Sequence, residues 1–534
     1  YHLFPTNILT KLILYYHTLR YLKLKQISYR IYYLVLRKLG YKFSIPRYIP
    51  TENGQLNFEP FIQLNKTWLG NNTFNFLNQE FKFESEIDWN NSKNGKLWTY
   101  NINYFEFLMQ DELSEQEGKL LIDNYINSKD KLIDGLESFP TSLRLINWIK
   151  FLLKHQIKEE KIDRFIHKDA YRLFHNPEYH LLGNHLLENG FGLYFAANYL
   201  NDKRLYKKAK SILSAELKEQ ILDDGAHFEL STMYHQHMLF RVLDCYQLAS
   251  SIEILGSELK ALFQRSAEVM LSWLQNMTFT NGETPLFSDS AKGIAPSSNQ
   301  LFDYAKYLNI SFEFILLKDS GYRRYNFGKL ECIIDTGNIG PDYIPGHAHA
   351  DSFNFVLNYD HKPILVDTGT STYEIGEKRQ NERSTYSHNT VVVNKQNSSE
   401  VWAGFRVGRR AKTTIHFDNN STLKASHDGY QKVGITHERK YEFKENSLFI
   451  GDTLKGNLNN INSSKAYFHF HPGCELNLNN NSIYINESIK IDFQGQLNLT
   501  LEKYEFSEYW NQSTAADVLI VEFDQQLKTI ISEI

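Results

Sequence analysis

No apolar run in this chain approaches the ~20 residues that a membrane-spanning helix needs, so no span is expected. Ile8 to Leu36 comes nearest, but Lys11, Arg20, Lys23, Lys25 and Arg30 interrupt it, and it lacks the form of a signal peptide. Cysteine is scarce. Cys245, Cys332 and Cys474 are far apart and match no metal motif, so they read as small buried apolar residues. A strong net charge is also missing: at −4 the chain has no global attraction to nucleic acid. Acid is absent from one stretch, since nine Lys and Arg precede the first carboxylate, Glu52. That basic segment either carries a solvated face, the simpler reading, or rests on an anionic surface. No internal repeat and no low-complexity linker divides the sequence.

At 534 residues, the chain exceeds what one core can organise and should split into at least two domains. Its 42% hydrophobic and 22% charged residues are those of an ordinary folded protein. The 33 Tyr and 36 Phe imply a large aromatic core, and exposed ones would also suit a sugar-stacking cleft. From about Asp111 to Leu317, apolar residues recur at three- and four-residue steps, as in Leu181, Leu182, His185 and Leu186. Consecutive amphipathic helices with short polar breaks imply an α/α arrangement of antiparallel pairs, with one long amphipathic helix opening at Leu182. After Asp319-Ser320-Gly321 the pattern becomes short strands between turn residues, the spacing of an antiparallel sandwich. The expected division is a basic N-terminal segment (1–95), a helical domain (96–318) and a β-domain (319–534).

Two clusters carry chemistry. In Gly346-His347-Ala348-His349-Ala350-Asp351, the two histidines would share one face if the segment were a strand. Asp367 lies eighteen residues after His349, and His388 twenty-one after that, both at predicted strand edges. His349, Asp367 and His388 form a plausible zinc-type ligand set, which leaves His347 free beside it. The plainer reading is a pair of hydrogen-bonded histidines. The second cluster is Asn184-His185-Leu186-Leu187-Glu188-Asn189 with His227-Phe228-Glu229 and Ser231-Thr232-Met233-Tyr234-His235. Asn, His and Tyr are the types needed to remove a proton beside a carboxylate. An amide or imidazolium stabilises the developing charge, while Tyr or His moves the protons. Each also has a structural reading: Asn184 a helix cap, His185 a core histidine, Tyr234 a packed ring.

Taken with Leu97-Trp98-Thr99-Tyr100-Asn101-Ile102-Asn103-Tyr104-Phe105, Ser142-Leu143-Arg144-Leu145-Ile146-Asn147-Trp148 and Ser387-His388-Asn389-Thr390, these segments resemble the heparinase II/III-like polysaccharide lyases over nearly the whole chain. The resemblance implies an α+β multidomain fold, an incomplete (α/α) toroid followed by an antiparallel β-sandwich. It implies β-elimination on a uronic acid, with Tyr234 as general acid and as one choice of base. His347 or His185 is the partner base, and Asn184 neutralises the carboxylate. His349, Asp367 and His388 would hold a structural metal, zinc with Ca²⁺ or Mn²⁺ as alternatives, fixing the loop of His347. Arg144, Asn147, Trp148, Asn101, Tyr104, Glu188 and His235 would bind sugar from the toroid, and Arg383 and Trp402 from the sandwich. The stretch Tyr16-His17-Thr18-Leu19-Arg20-Tyr21 resembles family versions from bacterial surface-polysaccharide gene clusters. The expected partner is therefore an acidic polysaccharide: a capsule, exopolysaccharide or O-antigen, or a glycosaminoglycan-like polymer. A periplasmic or secreted bacterial location follows, with the protein a monomer or homodimer. The rivals are a glycoside hydrolase using Glu188, Glu229 or Asp289, a non-catalytic polysaccharide-binding protein, and a metal-dependent hydrolase built on His347, His349, Asp367 and His388.

Overall fold

Helices occupy the first three-fifths of the chain and strands the rest. The computed structural model describes residues 8–41, 43–50, 56–251, 257–444 and 446–534. Parts of the basic N-terminal segment (Tyr1 to Asn7, Lys42 and Thr51 to Gln55) lie outside them. Two helices come first, α1 (Ile8–Leu19) and α2 (Leu24–Lys38), then a three-stranded sheet of β1 (Trp68–Gly70), β2 (Thr73–Phe76) and β3 (Gln79–Lys82). The helical layer comprises α3 (Lys96–Tyr104), α4 (Glu115–Asn127), α5 (Ser138–His155), α6 (Glu160–His175), α7 (Gly183–Tyr199), α8 (Lys203–Gln220), α9 (Thr232–Ser250), α10 (Ser257–Met277) and α11 (Ser298–Tyr307). Local chemistry sets several starts: the side chains of Ser114, Asp202, Ser231 and Ser297 accept hydrogen bonds from backbone N–H groups of the first turn. No helix among the described residues is long and apolar enough to cross a membrane.

One expectation needs correcting here. α7 is not amphipathic: every residue of it except His185 is buried. It is walled in by α5, α6, α8 and α9, so it has no solvent face to fill with polar side chains.

The β-region holds two facing sheets. β4 (Tyr322–Phe327), β5 (Leu330–Asp335), β6 (Phe355–Tyr359) and β7 (Lys362–Leu365) pair antiparallel in chain order. A larger antiparallel sheet is built around the long hairpin Ile489–Phe506 and Thr514–Glu533, with Ser464–His469 joining it to β8 (Val391–Val393). Strict alternation of buried and half-buried residues along Ile435–Lys444 shows one face inward and one outward. Inward residues of both sheets, including Cys332, Phe355, Leu448 and Val521, form one core. β5 is buried throughout because its other face packs, through Ile333, against Trp273 and Met277 of α10. That contact fixes the sandwich to the helical layer and sets the boundary where the site lies.

Candidate active site

The chain enters α7 through an unusual turn. Leu182 (φ 65°) and Gly183 (φ 61°) both take positive φ. A Cβ on residue 183 would stand 3.1 Å from Ile344 and 3.2 Å from the Glu229 carboxylate, so glycine permits both the turn and the close approach. The turn aims the start of α7, with Asn184 and His185, at the boundary. Ser231 caps α9 by accepting the Tyr234 N–H at 3.2 Å, and donates its own hydroxyl to the Asp289 carbonyl at 2.7 Å. This places Tyr234 on the first turn of α9, opposite the same opening.

From the sandwich side comes the loop carrying His347. Residues 346–350 are turn and loop, not strand, so the shared-face argument for His347 and His349 is corrected. Their orientation comes from a carboxylate instead. Asp289 receives His347 Nδ1 at 2.8 Å, His349 Nε2 at 2.9 Å and both terminal nitrogens of Arg379, one at 2.7 Å. Burial alone would raise its pKa, but Arg379 and the two imidazoles reverse the sign and hold it well below the carboxylate range. An ionised carboxylate only accepts hydrogen bonds, so His347 must carry a proton on Nδ1, and its Nε2 faces the Glu229 carboxylate at 3.8 Å.

A cleft of about 670 Å³ opens here, lined by Tyr104, Asn184, His185 and Tyr234 from the helices and by His347 and Tyr373 from the β-side. A recess of about 100 Å³ adjoins it and reaches Asn101, Glu188 and Arg241. The rings of Tyr234 and His347 lie 4.0 Å apart. The Tyr373 hydroxyl stands 3.0 Å from that of Tyr234 and 3.3 Å from His347 Nδ1. Burial pushes the Tyr234 phenol well above its ordinary pKa, with Tyr373 pulling weakly the other way, so it is a proton donor at neutral pH. Burial works against a charged His185, but the Glu178 carboxylate 3.2 Å away outweighs it and raises its pKa. Glu188 is pushed up to about 7 by burial, against the pull of Arg241. The Asn184 Oδ1 and Glu229 Oε2 atoms are buried without a hydrogen-bond partner, Glu229 Oε2 standing 3.8 Å from His347 Nε2.

Behind His347, the His388 Nδ1 stands 2.9 Å from Asp367 Oδ2, and the rings of His349 and His388 are 5.4 Å apart. As they stand, no three His, Cys, Asp or Glu side chains among the described residues close on one point as a metal requires. Two imidazole nitrogens, His349 Nδ1 and His388 Nε2, are nevertheless buried without a partner. Orphaned lone pairs in a dry interior cost free energy, and a divalent cation would relieve that cost.

Several residues expected at the cleft are elsewhere. Arg144 is 1% exposed and bound to Asp169 and the Gly135 carbonyl inside the toroid. Asn147 donates to the Tyr104 carbonyl at 2.9 Å, and Trp148 packs edge-to-face against Phe105 and Tyr125 and tilted against Phe165. His235 is spent on the Met270 carbonyl and the His227 N–H. Arg383 is fully buried and grips the Ala348 and Gly404 carbonyls, so it braces the His347 loop from behind. Trp402 donates to Thr18 of α1 at 3.2 Å, outside the cleft. In each case a core position and a cleft position share the same helical or strand spacing, and packing chose the core. Sequence reading assigned no part in elimination to Asp289, nor any role to Tyr373, Arg379 or Glu178. Asp289 lies 58 residues from His347, and no spacing rule links them.

A heparinase II/III-like C-terminal family model matches residues 310–532, and a heparinase II/III N-terminus model matches residues 140–311. The chain is 22% identical to a heparin-sulfate lyase of Bacteroides stercoris over 313 residues, 52% of this chain and 45% of that one. It is 24% identical to a heparin-sulfate lyase of Pedobacter heparinus over 246 residues, 40% of this chain and 36% of that one. These matches span less than half the length of either relative. Among solved structures, a heparinase III aligns with TM-score 0.68 at 16% identity, covering 85% of this chain and 80% of that one. A heparan sulfate lyase of Pedobacter heparinus aligns with TM-score 0.56 at 16% identity, covering 87% and 81%. At such identities the likeness is one of fold.

Proposed function

The chain belongs to the heparinase II/III-like family, and we propose that it is a polysaccharide lyase that cleaves a uronic-acid-containing polymer by β-elimination. The observation that carries this reading is the Tyr234 ring 4.0 Å from that of His347 in a cleft that also holds Asn184. His347 Nε2 takes the C5 proton of the uronate, and the electron pair forms the C4–C5 double bond. The C4–O bond breaks, and the leaving oxygen takes the Tyr234 proton. Asn184 and the two helix starts face the substrate carboxylate and stabilise charge as it spreads from C5. His185, paired with Glu178, serves the alternative in which the proton leaves from the other face. Asn101, Tyr104 and Glu188 bind the sugar.

A hydrolase is disfavoured because it needs two facing carboxylates and, of its three candidates, Glu188 alone reaches the recess: Asp289 is fully buried among Arg379, His347 and His349, and Glu229 is 1% exposed. The substrate class is an acidic bacterial surface polysaccharide or a glycosaminoglycan-like polymer, met in the periplasm or outside the cell. A structural divalent metal of zinc type belongs to the proposal, with His349 and His388 holding it through their orphaned nitrogens and Asp367 joining them only by leaving His388 Nδ1. It would brace the loop of His347. Chelation is then expected to release metal and lower the melting temperature, by elemental analysis and calorimetry; unchanged values in metal-stripped protein would remove the metal from the reading.

The primary test is absorbance near ~232 nm with a panel of uronic-acid polymers, since elimination leaves a conjugated unsaturated uronate. A rise with wild type and none with Tyr234→Phe supports the lyase. Chain shortening with no absorbance change would replace it by a hydrolase.

A further inference from the structure

α1 and α2 each use one face to pack on the molecule. In α1, Thr18 accepts from Trp402 Nε1 at 3.2 Å and His17 accepts from Arg409 Nε at 3.1 Å. In α2, Gln26 donates to the Leu181 carbonyl at 3.0 Å and Tyr33 to the Pro177 carbonyl at 2.5 Å. With 3.6 residues per turn, the opposite side of α1 carries Ile8 and Leu12, and that of α2 carries Leu24, Ile31, Leu34 and Leu39. These six are 75, 60, 83, 57, 52 and 74% exposed, respectively. No residue of α1 is buried, and Gln26 alone is buried in α2. Aliphatic side chains gathered on the outer faces of two helices mark a surface with a partner.

Charge identifies that partner. Lys11, Arg20, Lys25, Arg30, Arg37 and Lys38 are exposed on the same two helices and the turn between them, and residues 8–50 contain no Asp or Glu. Of these, Arg30 also donates to the His180 carbonyl and Arg20 to Tyr21, and Lys25 lies over the Tyr179 ring. A second copy of the chain would press two basic, acid-free faces together, whereas an anionic surface complements them. A helix with an apolar outer face, bases around it and too little length or apolarity to cross the bilayer lies in the headgroup layer of an anionic membrane.

We propose that α1 and α2 dock this protein on an anionic lipid surface, the aliphatic side chains entering the headgroup boundary and the lysines and arginines facing lipid anions. Thr18, Leu22 and Gln26 of the same segment line the cleft from the inner side of the two helices, so docking places the cleft one helix layer from the lipid. This inference stands apart from the lyase reading.

The test is flotation of the full chain with phosphatidylcholine vesicles, with and without phosphatidylglycerol. The chain is expected to float with phosphatidylglycerol vesicles and to be released by salt. Binding should weaken at least ~10-fold in Leu24→Glu/Ile31→Glu/Leu34→Glu, and less in Lys11→Gln/Lys38→Gln. All five residues are exposed, so melting temperatures should not change; if the triple variant unfolds, the charge pair still reads the effect. Equal binding to neutral vesicles, no binding to either, or a wild-type dimer that the triple variant dissolves into monomers would each overturn the proposal.

Discussion

Tyr234 keeps its proton because burial makes the phenolate costly, and His347 turns Nε2, not Nδ1, away from Asp289 because Asp289 occupies Nδ1. In the proposed elimination, one residue is thereby set as acid and the other as base before substrate arrives. Tyr234→Phe is expected to lower kcat by about 10²–10⁴-fold with KM and melting temperature little changed, followed as unsaturated product. Asp289→Asn should behave differently. It leaves Arg379 buried without its counter-charge, so stability should fall by about 3 kcal/mol in chemical denaturation. It also frees the His347 tautomer, so kcat should fall at least ~10-fold. Full activity in Asp289→Asn would remove its orienting role.

Helix starts do the positioning at the next scale up. Ser231 ahead of Tyr234 is a cap that a reader of the sequence can see. The turn at Leu182-Gly183 cannot be read that way, because its need for glycine comes from Ile344 and Glu229, which arrive from distant parts of the chain. α7 also depends on a close approach to α5. A Cβ on Gly192 would meet the Ser142 backbone at 2.8 Å. Gly192→Ala is therefore expected to push the two helices apart at a cost of about 1–3 kcal/mol, visible in the denaturation midpoint. An unchanged midpoint would show that α5 yields freely.

Across the whole molecule, buried histidines make stability depend on pH. Burial lowers His227 and His427 well below their ordinary 6.5 and His235 to about 3. Unfolded, these groups take up protons as pH falls below 6.5, while folded they stay neutral far lower. Their contribution is therefore complete above about pH 6.5 and lost below it, at about 1.4 kcal/mol per pH unit for each group. His185 and His388, raised by Glu178 and Asp367, have the opposite sign, their stabilisation lost as pH rises, and so do Glu188 and Glu382, both held at about 7. His237 at about 4 and His469 at about 3 join the first set and keep the sum falling as pH drops below 6.5. Denaturation at pH 7.5, 6.0 and 5.0 should show a steady fall (a flat profile would contradict these environments).

Whatever depends on spacing along the chain was legible before folding was considered. Three-to-four periodicity set the helices, alternation set the strands, and the segments around Asn184, Tyr234 and His347 marked where the chemistry gathers. Such signals are local, so they survive without coordinates. Tertiary structure decided which polar residues face the cleft and which hold the core. Arg144, Asn147, Trp148, His235, Arg383 and Trp402 look like binding residues in sequence, yet each is taken up by a partner brought in by folding. Asp289 shows the converse: nothing in Ser288-Asp289-Ser290 announces it, and its role exists only because His347, His349 and Arg379 converge on it. Periodicity says that a side chain points inward, but not what it will meet there, because the partners come from elements whose separation in sequence carries no information about their separation in space.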